Sequence, residues 1–167
     1  IEEAEKSILW FKKVFGEDYY LELQRHKATV ARANQGAYPL QQEVNKVLIE
    51  MSKKHNIKLV CTNDVHFVNE EDAEAHDRLI CVSTGTFLDD DKRMLYTKQE
   101  WMKTQEEMNE LFADVPEALS NTQEVLGKVE RYSIEHGPIL PNFPLPEGFT
   151  DNNDYLRHLV LVGAEKR

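Results

Sequence analysis

Apolar and polar residues run along this chain in two periods, and the changes of period outline its elements. Over residues 2–15 the apolar positions Ile8, Leu9, Phe11, Val14 and Phe15 recur at helical spacing, and Gly16 stands where that helix should end. Tyr19-Tyr20-Leu21-Glu22-Leu23-Gln24 reads as a strand, and residues 25–38, which lack any period, as a long loop. Pro39 suits a first helical turn. Behind it Leu40, Val44, Val47, Leu48 and Met51 make one apolar face, and Asn56 can close the helix in a left-handed conformation. Leu59-Val60-Cys61-Thr62-Asn63-Asp64-Val65-His66-Phe67 then reads as a buried strand, whose apolar run Leu59-Val60-Cys61 suits cover on both faces, as parallel strands have. The order helix, strand, helix, strand favours an α/β fold with parallel pairing.

The second half is patterned mainly for helices. Asn69 can cap a helix over 70–83, with Asp72 in its first turn and Gly85 beyond its end. Residues 86–103 are irregular and include Asp89-Asp90-Asp91. Three adjacent carboxylates point in different directions, so this run reads as a solvated loop. Thr104 and Glu107 have the spacing of a capping box, as do Asp114 and Glu117 ahead of Leu119, Leu126 and Val129. The segment 137–149 holds four prolines, Pro138, Pro141, Pro144 and Pro146, and reads as a linker or strap. Thr150 or Asp151 then opens a last helix through Tyr155, Leu156, Leu159 and Val160. No repeat or low-complexity tract is present.

Composition narrows the function. With 167 residues, 41% of them hydrophobic, the chain can build a core of its own. Its 20 basic and 30 acidic residues give a net charge of −10, which argues against this surface being a main contact for nucleic acid. Cys61 and Cys81 lie in apolar runs without CxxC spacing and read as buried thiols, in keeping with a cytoplasmic protein. No apolar run nears the roughly 18 residues that span a membrane, so no membrane partner is expected. The chain starts at Ile1 inside one helical pattern and stops at Arg167 inside another, and is expected to be a piece of a longer protein.

The candidate chemistry sits at the end of the second strand. Residues i and i+2 of a strand share a face, so Asp64 and His66 are expected to point together, and a carboxylate oxygen and an imidazole nitrogen both suit zinc or manganese. In α/β barrels such strand ends carry the chemistry. Two ligands make half a site. The plainer alternative has His66 in a satisfied hydrogen bond and Asp64 capping a turn. His26, just beyond the first strand, could reach the same rim, although a loop histidine is ordinarily solvated. Glu22 could face a barrel interior or merely hydrogen-bond at the strand end. His76 reads as a half-buried packing residue. No Gly-rich phosphate loop, Ser/His/Asp order or Cys nucleophile signature is present, so no catalytic residue is assigned.

An ordered series of motifs goes further. Asn63-Asp64-Val65-His66-Phe67, Glu71-Asp72-Ala73-Glu74-Ala75-His76-Asp77, Leu88-Asp89-Asp90, Glu106-Glu107-Met108, the run from Leu111 to Leu119, and Asn121-Thr122 follow one another at spacings that closely resemble the alpha (catalytic) subunit family of bacterial DNA polymerase III. Tyr20-Leu21-Glu22-Leu23-Gln24-Arg25-His26 and the stretch Pro141–Gly148 followed by Asp154-Tyr155-Leu156 are similar to the same family, so the likeness covers nearly the whole chain.

The resemblance implies that residues 1–136 are the later half of a polymerase-and-histidinol-phosphatase domain. Its fold would be a partial distorted β/α barrel lacking its amino-terminal part, followed by a mostly helical second half. Residues 137–167 would be the strap and first helix leading to the polymerase palm. Asp64 and His66 match the last metal motif of that superfamily, while a His-x-His motif would lie upstream and the palm aspartates, with their magnesium, downstream. The implied parent is a DNA-directed DNA polymerase acting in DNA replication on DNA and deoxynucleoside triphosphates, with a proofreading exonuclease subunit as a partner. This chain alone would carry part of a phosphoesterase or editing-type site, would be inactive, and could pair as a homodimer. Two other readings remain: a free-standing metal-dependent phosphoesterase, and a non-catalytic module that docks the proofreading subunit.

Overall fold

The periodic segments become six helices and two strands: α1 (Glu2–Phe15), β1 (Tyr20–Leu23), α2 (Ala37–His55), β2 (Lys58–Cys61), α3 (Ala73–Thr84), α4 (Gln105–Leu111), α5 (Pro116–Gly127) and α6 (Asn152–Glu165). The computed structural model describes residues 1–167, which divide into two units, Ile1–Glu130 and Arg131–Arg167. The fold is mixed α/β. β1 and β2 pair in parallel, from Tyr20 opposite Lys58 to Leu23 opposite Cys61. Parallel strands need a crossover, and α2 supplies it. Gly16 (φ 58°), Asn56 (φ 50°) and Gly85 (φ 67°) end α1, α2 and α3 in the conformations that their residue types permit.

The core of the first unit gathers Ile8, Leu21, Leu23, Met51, Ile57, Leu59, Cys61, Phe112, Val115 and Ala118. Leu21, Leu23, Leu59 and Cys61 are the alternate, buried positions of the two strands, whereas Glu22 and Lys58 are exposed and Val60 half-buried. The expected burial on both faces is therefore corrected: this two-stranded sheet buries one row of side chains and leaves the other partly in solvent. Both cysteines are free and buried. α1 and α2 are tied by Glu5, which takes hydrogen bonds from His55 Nε2 (2.5 Å) and Lys54 (2.6 Å).

The α4–α5 corner departs from its sequence pattern. Thr104 and Glu107 do form a capping box. Asp114 does not: α5 starts from Val115 with Pro116 in its first turn and no side-chain cap. The Asp114 carboxylate instead grips Arg25 in a two-pronged pair (2.6 and 2.9 Å), and Arg25 also donates to Leu111 O and lies over the Phe112 ring. A guanidinium offers two parallel N–H bonds to a carboxylate, which a single backbone amide cannot match. Of the face expected on α5, Leu126 is exposed and Val129 lies beyond the helix end.

At the amino ends of the strands, Glu124 of α5 accepts from Tyr20 Oη (2.6 Å) and Lys58 Nζ (2.7 Å). Lys128 reaches Asp18 (2.8 Å) and lies over the Tyr20 ring. The second unit runs without regular structure to Asp151, whose carboxylate caps α6. Within it Phe143 and Phe149 pack on Tyr155, and Phe149 also meets His158. No helix is long and apolar enough to cross a membrane.

Phe112 is fully buried and joins the strands to α5. Phe112→Ala should lower unfolding free energy by about 3–5 kcal/mol, read from urea denaturation followed by circular dichroism, and a loss near zero would contradict this packing. Acid should weaken the α5 anchor. Lys58 first, and then the Tyr20 hydroxyl, hold the Glu124 carboxyl at about 2, below its ordinary 4.5. Its contribution is therefore complete above pH 4.5 and is lost as pH falls from there towards 2. The urea midpoint should fall across that window, less so in Glu124→Gln, and salt should shrink the difference because these groups face solvent.

Candidate functional site

Because β1 and β2 run parallel, their carboxyl ends share one edge, and the segments that leave them meet there. The ladder closes with Thr62 N donating to Leu23 O (3.1 Å). Beyond it Gln24 Nε2 reaches Thr62 Oγ1 (3.3 Å), and the Thr62 hydroxyl donates to Glu22. Glu22 is thus a strand-end hydrogen-bonding group with an exposed side chain. His26 is buried at this edge rather than solvated. Its Nε2–H donates to Asn63 O (3.0 Å), and its Nδ1 accepts from Gln41 Nε2 (2.9 Å), whose Oε1 takes the His26 backbone N–H (2.7 Å). Gln41, in the first turns of α2, therefore bonds both the peptide N–H and the ring of His26.

Asp64 and His66 do come together, though not as neighbours on a pleated strand. β2 ends at Cys61, and Asp64 adopts a left-handed backbone (φ 46°), so the strand expected to continue to Phe67 is broken. The physical reason is Asn63. Its side chain turns inward and donates to Gln99 O (3.0 Å) and Trp101 O (2.6 Å), which pulls the chain out of the sheet. Phe67 then forms an isolated parallel bridge with Trp101, and His66 N donates to Glu100 O (2.7 Å).

The His66 ring is held on one edge. Its Nδ1–H donates to Asp64 O (2.7 Å), with Asp64 Oδ1 3.9 Å from the same nitrogen. That leaves Nε2 free to offer a lone pair, the arrangement usual for a metal-binding imidazole oriented by a second acceptor. The Asp64 carboxylate lies towards the Nδ1 edge, and no group of three or more His, Cys, Asp or Glu side chains is placed to hold a metal ion. The donor chemistry fits zinc or manganese; the number of donors falls short of a closed site.

Two more rings meet His66, and a third, Phe67, lies behind one of them. The His66 centroid lies 4.7 Å from Tyr96 and 5.6 Å from His76, those two are 5.0 Å apart, and Phe67 is 5.1 Å from His76. Burial, and secondly the neighbouring His66, push the His76 imidazole below its ordinary value and favour its neutral form. His76 is half-buried among these rings, as its helical position suggested.

The brace behind the site was not foreseen from the pattern. The irregular segment 86–103 is organised by the buried Glu100 carboxylate, which accepts from Thr97 N (3.0 Å), Thr97 Oγ1 (2.7 Å) and Gln99 N (3.0 Å) while Lys98 adopts a left-handed turn (φ 66°). The only available signal was the Thr97-x-x-Glu100 spacing, the same as that of a capping box. Arg93 and Asp77 form a buried pair (2.5 and 2.7 Å) that ties the segment to α3. The long loop after β1 packs on it through Asn34 N to Tyr96 O (2.9 Å). Asp89, Asp90 and Asp91 are exposed, as expected, with Asp90 accepting from Phe87 N (2.8 Å).

Comparison with known proteins adds a lineage to this geometry. No protein-family profile matches the chain. The DNA polymerase III subunit alpha of Borreliella burgdorferi is 43% identical over 168 residues, which is 99% of this chain and 14% of the relative. Those of Pseudomonas aeruginosa (37% over 167 residues, 13% of the relative) and Caulobacter vibrioides (35% over 165 residues, 14% of the relative) also match 99% of the chain. The chain thus spans about one seventh of the length of these relatives. Matched from end to end by several such subunits, it belongs to the DNA polymerase III alpha-subunit family, as one segment of it.

Proposed function

We propose that this chain is a working piece of a replicative DNA polymerase, the part that frames a metal-dependent phosphoesterase or editing-type site. The observation that carries the reading is the match of 99% of the chain to several DNA polymerase III alpha subunits. In this reading residues 1–136 are the later half of the polymerase-and-histidinol-phosphatase domain, and residues 137–167 lead to the palm. β1 and β2 would be adjacent strands of a distorted β/α barrel, whose other strands would cover the open sheet edges. The whole subunit would extend primed DNA with deoxynucleoside triphosphates in the cytoplasm, using magnesium bound outside this segment. It would have a proofreading exonuclease subunit as partner. The segment on its own would be inactive and, with its edges open, prone to pair with a second copy.

Asp64 and His66 are the proposed metal ligands, with zinc or manganese as the ion; to share it with Nε2, the Asp64 carboxylate would turn away from the Nδ1 edge where it now lies. Such an ion would supply a bound hydroxide near neutral pH and charge for the phosphate oxygens. The residues of this chain orient the site. Asp64 O fixes the His66 tautomer and leaves Nε2 available; the Asp64 carboxylate adds negative charge; Asn63 and Glu100 hold the backbone between them. His26 reaches the same rim, one residue from Asp64 through its bond to Asn63 O, with both ring nitrogens engaged by Asn63 O and Gln41.

Zinc and manganese titrations should separate the parts. A whole alpha subunit carrying this sequence should bind tightly and the isolated chain weakly. Asp64→Ala or His66→Ala should weaken binding in the whole subunit by about tenfold or more. A whole subunit that ignores both substitutions would overturn the metal reading. Separately, the isolated chain given primed DNA, the four deoxynucleoside triphosphates and magnesium should incorporate nothing, and measurable extension would contradict its assignment as an incomplete piece.

A further inference from the structure

Metal affinity depends on how narrowly a ligand's ring is held, and the grip on His66 is incomplete if only its Nδ1 bond is counted. One hydrogen bond to Asp64 O fixes the nitrogen, while the ring can still swing about that contact. The His66 backbone is fixed by Glu100 O, but its side chain keeps 30% of its surface exposed. What limits the swing is a triangle of rings. Tyr96 and His76 each meet His66, at 4.7 and 5.6 Å, and meet each other at 5.0 Å in an edge-on contact, with Phe67 behind His76.

Each wall comes from a different element and is itself anchored. His76 is carried by α3, one residue before Asp77, which is paired with the buried Arg93. Tyr96 is carried by the 86–103 segment next to the Glu100-centred turn, and its backbone O accepts from Asn34 of the loop after β1. The buried Arg93–Asp77 pair spans the same two elements. The elements that carry the two walls are therefore joined by a salt bridge separate from His66. That is what a side-chain clamp requires, since a ring set between two free walls would gain no orientation from them.

We propose that His76 and Tyr96 are positioning residues that clamp the His66 imidazole by ring packing and so set its aim as a metal ligand. This rests on the reading of Asp64 and His66 as ligands. His76 acts here as a wall and contributes no nitrogen to the ion. A flat ring at position 76 lies against both Tyr96 and Phe67 while meeting His66 at an angle.

The test uses a whole alpha subunit carrying this sequence, titrated with manganese while free ion is counted by electron paramagnetic resonance. Cobalt absorption serves as a second readout of coordination geometry. His76→Ala should weaken binding by about 10–100-fold, as loss of an orienting neighbour does, and alter the cobalt spectrum. His76→Phe and Tyr96→Phe, which keep the walls, should bind as the unaltered subunit does. Tyr96→Ala opens the other wall and should repeat the loss, giving an independent reading if His76→Ala does not fold. Unaltered binding in both alanine variants overturns the clamp. If His76→Phe binds as weakly as His76→Ala, the position-76 nitrogen is itself a ligand and the clamp is again overturned. If the unaltered subunit shows no binding that depends on Asp64, the metal reading fails and the clamp falls with it.

Discussion

Parallel pairing of two four-residue strands is the constraint from which the rest follows. Four ladder positions are too few to stand alone, and a parallel pair needs cover more than an antiparallel hairpin does. The cover comes from α2, which makes the crossover, and from the α4–α5 corner, where Phe112, Val115 and Ala118 close on the strands. Arg25 then couples that corner to the carboxyl end of β1 through Asp114 and Leu111 O. Glu124 couples α5 to the opposite end through Lys58 and Tyr20. The short sheet is thus pinned at both ends by charge-assisted bonds, while its middle is held by packing.

The same pairing decides where chemistry can occur. Both strands point their carboxyl ends at one edge, so whatever follows Leu23 must meet whatever follows Cys61. His26 and Asn63 make that meeting a buried hydrogen bond, and residues 97–101 close the rim from a third side. The acidic surface plays little part in this. The groups that shape the rim are neutral amides, imidazoles and one buried carboxylate, whose bonds are directional where surface charges are not.

Local features were legible in the sequence and long-range ones were not. Gly16, Asn56 and Gly85 act within one turn of their own helices, and Thr104 and Glu107 within four residues, so residue type alone located them. Asp114 shows the opposite case. It has the spacing of a cap, yet Arg25, 89 residues away, competes for the same carboxylate and wins with two bonds. His26 looked like a solvated loop residue because nothing in residues 25–38 reveals that Gln41 and Asn63 O will surround it. Asp64 and His66 do stand close together, though by a different route from the one expected. The pattern suggested a pleat; the chain reaches the same juxtaposition through a broken strand. The ordered motifs carried further than periodicity could, because their resemblance spans nearly the whole chain.

The break at Asp64 is informative in its own right. A left-handed backbone at a residue with a Cβ costs about 1 kcal/mol, although aspartate tolerates it better than a β-branched residue would. Such a conformation persists only where its surroundings over-determine it. Here they do: Asn63 is fixed on one side by Gln99 O, Trp101 O and His26, and His66 N on the other by Glu100 O. Continuing the strand through Asp64 would remove that strain, but it would carry Asp64 O away from His66 Nδ1 and leave the imidazole without its tautomer-setting partner. The strain therefore sits at the one peptide whose orientation decides which His66 nitrogen is free.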